Sequence, residues 1–502
     1  GFYSAFLVAD SVDVISCGAG EDEAWMWSSQ ADETWTVTPL KDARDRGTSV
    51  IMHLKEGMDS YLNDWTLRQL VKTYSEFVPF PILMSEPASE EGAETAMTRV
   101  NEADALWRRA KADVSDSDYQ GFYTHLDPMA GEPLSWTHFR IEGSHEFSGL
   151  IYLPKTAPMG MEFVQQSSRV KLYVKRVFIM DEVDALVPSW LRFVTGVIES
   201  DDLPLNVSRE LLQDSAIVRS IRAQVEKKVI DLLSKQKSDN KEAYETFWQS
   251  CGGVIKEGIH HSFKHREKIA GLALFASTMG EDLTDLDAYI ERMPDEQESI
   301  YYITGESAQS LANSPHVEGL IKAGHEVLLL TDPIDEWVVD SLSEYKGKSL
   351  RNATTGDLNL DEEAVSLRDE QTKAFEALTG RISTVLGDRI GSVRVSDRLT
   401  DSAVCLVVPE GGVNAHMERL LKTHGRDVPI AKRIFEINPT HPTINNLQSL
   451  AEQEEAPEAL GEWLELLYDQ ALLTEGSTIA DPAAFAQRMS RLLEKATSAE
   501  LS

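Results

Sequence analysis

Between Ala105 and Ala364, four apolar runs rich in β-branched and aromatic residues alternate with long helical ones. The first kind are FSGLIYLP (147–154), RVKLYVKRVFIM (169–180), SIYYITG (299–305) and HEVLLLTD (325–332); the second are SRELLQDSAIVRSIRAQVEKKVIDLLSKQ (208–236) and HREKIAGLALFAST (265–278). Strand runs separated by helices long enough to cross over a sheet predict an α/β region, with helices packed on the sheet faces.

The flanks divide the rest. Residues 2–8 read as a helix, and SVDVISC, EAWMWSS, ETWTVTP and GTSVIMHLK follow as short strands between Gly, Asp and Asn breaks. WTLRQLVKTYSEFV then places Leu67, Leu70, Val71, Tyr74 and Phe77 on one helical face before PFPI ends it. Residues 85–104 are rich in Ala, Glu and Ser and poor in large apolar side chains, which marks a linker. A charged stretch leads into a last region with strands SVRVSD and AVCLVVP and three helical runs. The predicted fold is α/β (α+β) in three domains: 1–84, then the linker 85–104, then 105–364 and 365–502.

Charge excludes several functions. Forty-eight Lys and Arg against 83 Asp and Glu leave a formal net charge of −35, which repels nucleic acid and anionic membrane surfaces. Nucleic-acid and membrane partners are not expected, and no apolar stretch is long enough to span a bilayer. Cys17, Cys251 and Cys405 lie far apart with no paired spacing, so neither a disulfide framework nor a cysteine zinc site is expected, and a reducing cytoplasm fits.

Familiar catalytic motifs are incomplete. Gly347-Lys348-Ser349 resembles the end of a phosphate-binding loop, but Leu342 stands where its first glycine belongs. His261 and His265, read on one helix beside His260, have zinc spacing, but Ser262 replaces the glutamate of the metalloprotease form, so a solvated patch is preferred and no metal site is expected. In DLPLNVSRELLQ, Ser208 can cap a helix whose first turn carries Arg209, a cation at the positive end of a dipole. Either Asp201 or Asp202 neutralises it, or it meets an external anion such as phosphate. Gly1 and Phe2, opening a helix, allow the same close approach of a phosphate.

Three apolar stripes point to protein partners. Val413, Met417, Leu420 and Leu421 follow two glycines at helical spacing, a pattern that serves either as core or as an adaptable binding face. Trp337 stands among acids, as a core aromatic or an exposed one. Near the end, Leu460, Trp463, Leu464, Leu467, Ala471 and Leu472 form one band, and Phe485, Met489, Leu492 and Leu493 another. Two such helices cannot bury both bands in one short domain, so pairing of two copies as a four-helix bundle is expected, with Trp463, Leu467, Phe485, Met489 and Leu492 in the interface.

GFYSAFLVAD, RGTSVIMHL, LYVKRVFIMDE, LPLNVSRELLQ, RMPDEQESIYYITGES and VLLLTDPIDEW together resemble, in order and spacing, the heat shock protein 90 chaperones, most closely their bacterial HtpG type. The resemblance runs along essentially the whole chain. It implies ATP-dependent binding and remodelling of non-native client proteins by a homodimer, with ATP and Mg2+ as cofactors. It further implies that residues 1–84 are the later part of a GHKL-type ATPase sandwich, followed by a middle domain and a C-terminal dimerisation domain. Gly1, Phe2 and Thr48 match nucleotide-contacting positions, Arg209 matches the arginine that reaches the γ-phosphate, and Gln213 matches its companion. Trp337 and the stripe Val413, Met417, Leu420 and Leu421 match the client-facing side. The catalytic glutamate and magnesium-binding asparagine belong to a segment that precedes GFYSAF in the family. The chain therefore reads as N-terminally truncated and is expected to be inactive toward ATP on its own. A holdase or scaffold that works without ATP is the alternative.

Overall fold

The computed structural model describes the chain except for residues 1, 31, 33, 41–44, 87–95, 160, 162–168, 182–183, 206–214, 357–369, 424, 426–430, 454–456, 458 and 501–502. A 3-10 turn, Phe2–Leu7, leads into β1 (Ala9–Cys17), β2 (Ala24–Ser29), β3 (Thr36–Leu40) and β4 (Gly47–Leu54), an antiparallel sheet in the order β3-β2-β1-β4. Strand β1 turns Ala9, Val12, Ile15 and Cys17 inward. The sheet leaves Trp25, Val37, Val50, Ile51 and Met52 between 44% and 51% exposed, an apolar surface far from that of a finished core.

Helix α1 (Asp64–Leu70) starts where the Asn63 side chain accepts from the N–H groups of Trp65 and Thr66. It continues as a wider π turn over Val71–Ser75, which rotates the following residues away from the predicted face. Tyr74 stays half exposed, whereas Phe77 is buried edge-on against Trp107 at 4.8 Å between ring centres and against Tyr173 at 5.7 Å. The polar stretch that follows is not a plain tether. Its ends pair as β5 (Leu83–Ser85) and β6 (Met97–Arg99). Buried Asn101 fastens them, donating to the carbonyls of Val78 and Phe80 and accepting from the Ile82 N–H.

Helix α2 (Asp116–Leu126), opened by a reciprocal Ser115–Asp118 capping box, covers one face of a five-stranded sheet. Its strands are β7 (Pro133–Ile141), β8 (Phe147–Pro154), β9 (Arg169–Val174), β10 (Val177–Met180) and β11 (Thr195–Ser200), in the order β10-β9-β11-β8-β7. The run RVKLYVKRVFIM is thus two strands. Lys175 and Arg176, at φ 50° and 64°, make a two-residue hairpin turn with the positive dihedrals such turns need. Helices α3 (Ala216–Asp239) and α4 (Lys241–His261) pack on the other face; α4 presents Phe247, Cys251, Ile255 and Ile259.

Helix α5 (Arg266–Ala270) is short. The rest of HREKIAGLALFAST is apolar on all sides, which suits burial in a sheet, and becomes β12 (Phe275–Ser277). Since α4 ends at His261 and His265 caps α5, the two histidines do not share a helical face. Then come β13 (Gly280–Thr284), α6 (Leu286–Arg292), β14 (Ser299–Thr304), α7 (Ala308–Ala312), α8 (Glu318–Lys322), β15 (Val327–Leu330), α9 (Asp335–Ser341), β16 (Glu344–Tyr345) and β17 (Lys348–Asn352). The sheet order is β13-β12-β15-β14-β17-β16, with β14 parallel to both neighbours. The GKS sequence belongs to a hairpin: Lys346 and Gly347, at φ 48° and 79°, turn β16 into β17.

The last region holds α10 (Glu376–Leu386), β18 (Ser392–Val395), β19 (Val404–Val407), α11 (Ala415–Thr423), β20 (Ile434–Ile437), α12 (Pro442–Ala451), α13 (Ala459–Glu475) and α14 (Pro482–Glu500). Its described residues form five helices where three were expected. Strand β20, the centre of a β18-β20-β19 sheet, was not expected either, because Glu436 interrupts its apolar run. Glu436 is fully buried and accepts from Arg394, Arg398 and Ser396, which satisfies the charge inside the sheet. Arg398, equally buried, donates onward to the carbonyl of Ala353 at 2.7 Å. Glu318 on α8 accepts from the N–H groups of Thr400, Asp401 and Ser402 and from the Ser402 hydroxyl. A side chain at Gly319 would meet the Arg398 carbonyl at 2.7 Å, so only glycine permits this approach. Among the described residues, no helix is long and apolar enough to cross a membrane.

Candidate functional site

Helix α11 is amphipathic, and its polar side is the one that faces inward. Asn414 precedes it, accepting from the Met417 N–H at 2.8 Å and donating to Glu336 at 3.0 Å. His416 Nδ1 lies 2.8 Å from the other oxygen of Glu336, Glu418 holds Arg433 at 2.7 Å, and Arg433 also reaches Glu475. Arg419 donates to the Gly476 carbonyl. Ala415 and Glu418 are the buried residues of the helix, while Val413, Met417, Leu420 and Leu421 stay half-buried. Buried ion pairs and hydrogen bonds hold the helix down on its polar side, and the apolar stripe stays half-buried.

Helix α9 shows the same inversion. Asp335 and Glu336 are buried, and Trp337 between them and Val338 is half exposed. Asp335 pairs with Lys256 at 2.8 Å, and Lys256 also reaches Asp332 and lies over the Phe275 ring. Burial pushes the Asp335 carboxyl up despite the opposing pull of Lys256. Between the two helices runs a groove of about 640 Å³ lined by Val339, Leu350, Val413 and Met417, with the carboxylates of Glu336, Asp340 and Glu410 and the cation of Arg351 around them. Val413 and Met417 therefore share one groove with Glu336, the residue beside Trp337; Leu420 and Leu421 lie farther along α11. Asn414, His416 and Glu336, which set this arrangement, were absent from the sequence reading because polar residues on an amphipathic helix look like a solvent face.

Gly1, Arg209 and Gln213 fall outside the described residues. Phe2 packs edge-on against Trp27 at 5.5 Å, and Thr48 sits exposed on β4, where its hydroxyl meets that of Ser16 at 2.9 Å. Of the pairing candidates, Leu467 belongs to the interior, packed with Leu460, Leu464 and Ala471 in the same core as α10 and α12. Trp463 lies half-buried at the edge of that core. Among the described residues of helix α14 none is buried; Phe485 and Met489 are half-buried, and Leu492 is exposed. It is tied to α13 by Arg488–Asp469 and Arg491–Glu462 ion pairs. The three cysteines are buried free thiols. His260 of the histidine group bonds to Ser341 at 2.8 Å.

Comparison with known proteins agrees with this architecture. The family model described as Hsp90 protein matches residues 88–502. The chain is 48% identical to the Chaperone protein HtpG of Myxococcus xanthus, over 98% of this chain and 77% of that protein. It is 43% identical to the HtpG of Bordetella avium over 99% of this chain and 80% of the other, and 42% identical to that of Geobacter metallireducens over 98% and 79%. A multi-domain α/β chain with these relatives along nearly its whole length belongs to the Hsp90 family, as a molecular chaperone of the HtpG type.

Proposed function

We propose that this chaperone holds non-native client segments on the half-exposed surface formed by Trp337, Val413, Met417, Leu420 and Leu421. The observation that carries the reading is the inverted burial of α11, with Glu418 buried and the apolar stripe only half-buried. An apolar stripe bearing a methionine adapts to many partners, as a chaperone needs. The test is suppression of aggregation of a chemically unfolded client: Met417→Asp and Trp337→Ala should weaken it while the thermal midpoint stays near that of the parent. A large stability loss would mean that these residues are core.

We further propose that the protein works as a homodimer in the cytoplasm, paired through Trp463, Phe485, Met489 and Leu492 with Leu467 supporting them from within, and that it divides into domains at 1–84, 105–364 and 365–502. Light scattering on a chain ending near Glu455 should then give a monomer, and the full chain a dimer. ATP with Mg2+ drives the cycle in this reading, Phe2 and Thr48 lie beside the nucleotide with Gly1, and Arg209 and Gln213 stabilise charge on the transferred phosphoryl group. Residues 1–502 contain no match for the family's catalytic glutamate or magnesium-binding asparagine, so by themselves they should neither bind nor hydrolyse Mg2+-ATP in a calorimetric titration. With the matching segment restored, Arg209→Ala should slow turnover more than it weakens nucleotide binding.

A further inference from the structure

Strand β14 sits between two parallel neighbours. The chain leaves it through α7 and α8 to reach β15 on one side, then returns through α9 and β16 to β17 on the other. The carboxyl end of β14 is thus a topological switch point, the place in an open α/β sheet where diverging connections leave a crevice for a ligand. A cavity of about 160 Å³ lies there. Ile303, Leu311 and Val408 give it apolar walls, and Thr304, Ser310 and Ser314 give it hydroxyls. Asn414 and Arg419 of the α11 segment, with Leu473 and Glu475 at the end of α13, close the other side.

His316 lines this cavity and is 3% exposed, and its Nδ1 has no hydrogen-bond partner among the described residues. A buried ring nitrogen left unpaired carries its full desolvation cost, so the site favours a molecule that pairs with it. Burial, reinforced by Arg398, lowers the imidazole pKa to about 3, which keeps the ring neutral with one donor and one acceptor. Arg419 is already engaged: it donates to the Gly476 carbonyl at 2.5 Å and lies 3.6 Å from Glu306. Among the described lining residues an anion therefore finds no unpaired cation, whereas hydroxyl groups match both the neutral ring and the Ser and Thr side chains.

We propose that this cavity binds a small neutral polyhydroxylated molecule of about the size of glycerol, with its hydroxyls on His316, Thr304 and Ser310 and its carbon skeleton on Leu311 and Val408. Because β14 and α11 both contribute walls, the bound polyol holds the six-stranded sheet and the last region together in this arrangement.

The test follows histidine ring 15N resonances of the full chain during titration with glycerol, acetate and sulfate. One ring, identified by its loss in His316→Leu, should shift saturably with glycerol, with half-saturation in the millimolar range that suits a ligand of about six heavy atoms. Acetate and sulfate should leave it in place. Ser310→Trp, a substitution at an exposed position on the rim, should abolish the shift without moving the thermal midpoint; it serves alone if His316→Leu fails to fold. A linear shift with glycerol, an undiminished shift in Ser310→Trp, or a response to acetate or sulfate in place of glycerol overturns the proposal.

Discussion

Met417 and Glu418 are neighbours with opposite fates: the carboxylate is inside and the thioether is half outside. The stripe of which Met417 is part was legible from spacing alone. Which side of the helix would face the protein was not, because that depends on Glu336, Arg433 and Glu475, far away in sequence. Glu318 is a second case, reading as an ordinary surface acid until the 400–402 loop wraps it. Burial raises its pKa, but the Ser402 hydroxyl and the N–H groups of Thr400, Ser402 and Asp401 outweigh burial and hold it below the usual value. A carboxylate depressed in the folded state adds stability above its unfolded pKa, and this is lost as pH falls through the folded one. Glu318→Gln should therefore cost about 1–3 kcal/mol at neutral pH. In urea titrations the gap to the parent should close below about pH 4.

Elements were legible in proportion to their periodicity. Helices α13 and α14 and strands β8 and β15 stand where their apolar patterns predict them. Strand β20 was hidden by a buried Glu436, and α5 and β12 were merged because an all-apolar run has no period to separate helix from strand. The two C-terminal helices now divide their tasks: α13 buries Leu460, Leu464 and Leu467, and α14 buries none of its described residues. Leu464→Ala should cost about 2–5 kcal/mol in thermal unfolding, as a cavity in a closed core does. The double substitution Phe485→Asp with Leu492→Asp should leave each protomer's unfolding nearly unchanged at high dilution, while sedimentation shows the dimer dissociating. A dimer that survives would place the pairing surface elsewhere.

At the scale of the molecule, residues before and after 365 meet through buried polar contacts, Arg398 to Ala353 and Glu318 to the 400–402 loop, and among the described residues the two large apolar clusters stay separate. The composition announced an acidic protein, and −35 charges repel one another across the whole structure. Raising salt from about 0.01 M to about 0.15 M shortens the screening length from about 30 Å to about 8 Å and should raise the thermal midpoint, since repulsion is relieved more than buried ion pairs are weakened. The polar composition of 85–104 was readable, but the pairing of β5 with β6 was not, for Leu83 and Met97 are too few and too exposed to announce strands. In polymer terms the pairing of Ser85 with Met97 holds the two ends of the intervening segment at one place. Closure entropy grows only with the logarithm of contour length, about 0.6 kcal/mol for each doubling. Residues inserted near position 90 would thus change the charge and reach of the loop while the spacing of the chain on either side stayed the same. An insertion between Arg99 and Ala105 would pull Asn101 off the carbonyls of Val78 and Phe80 and be felt at once.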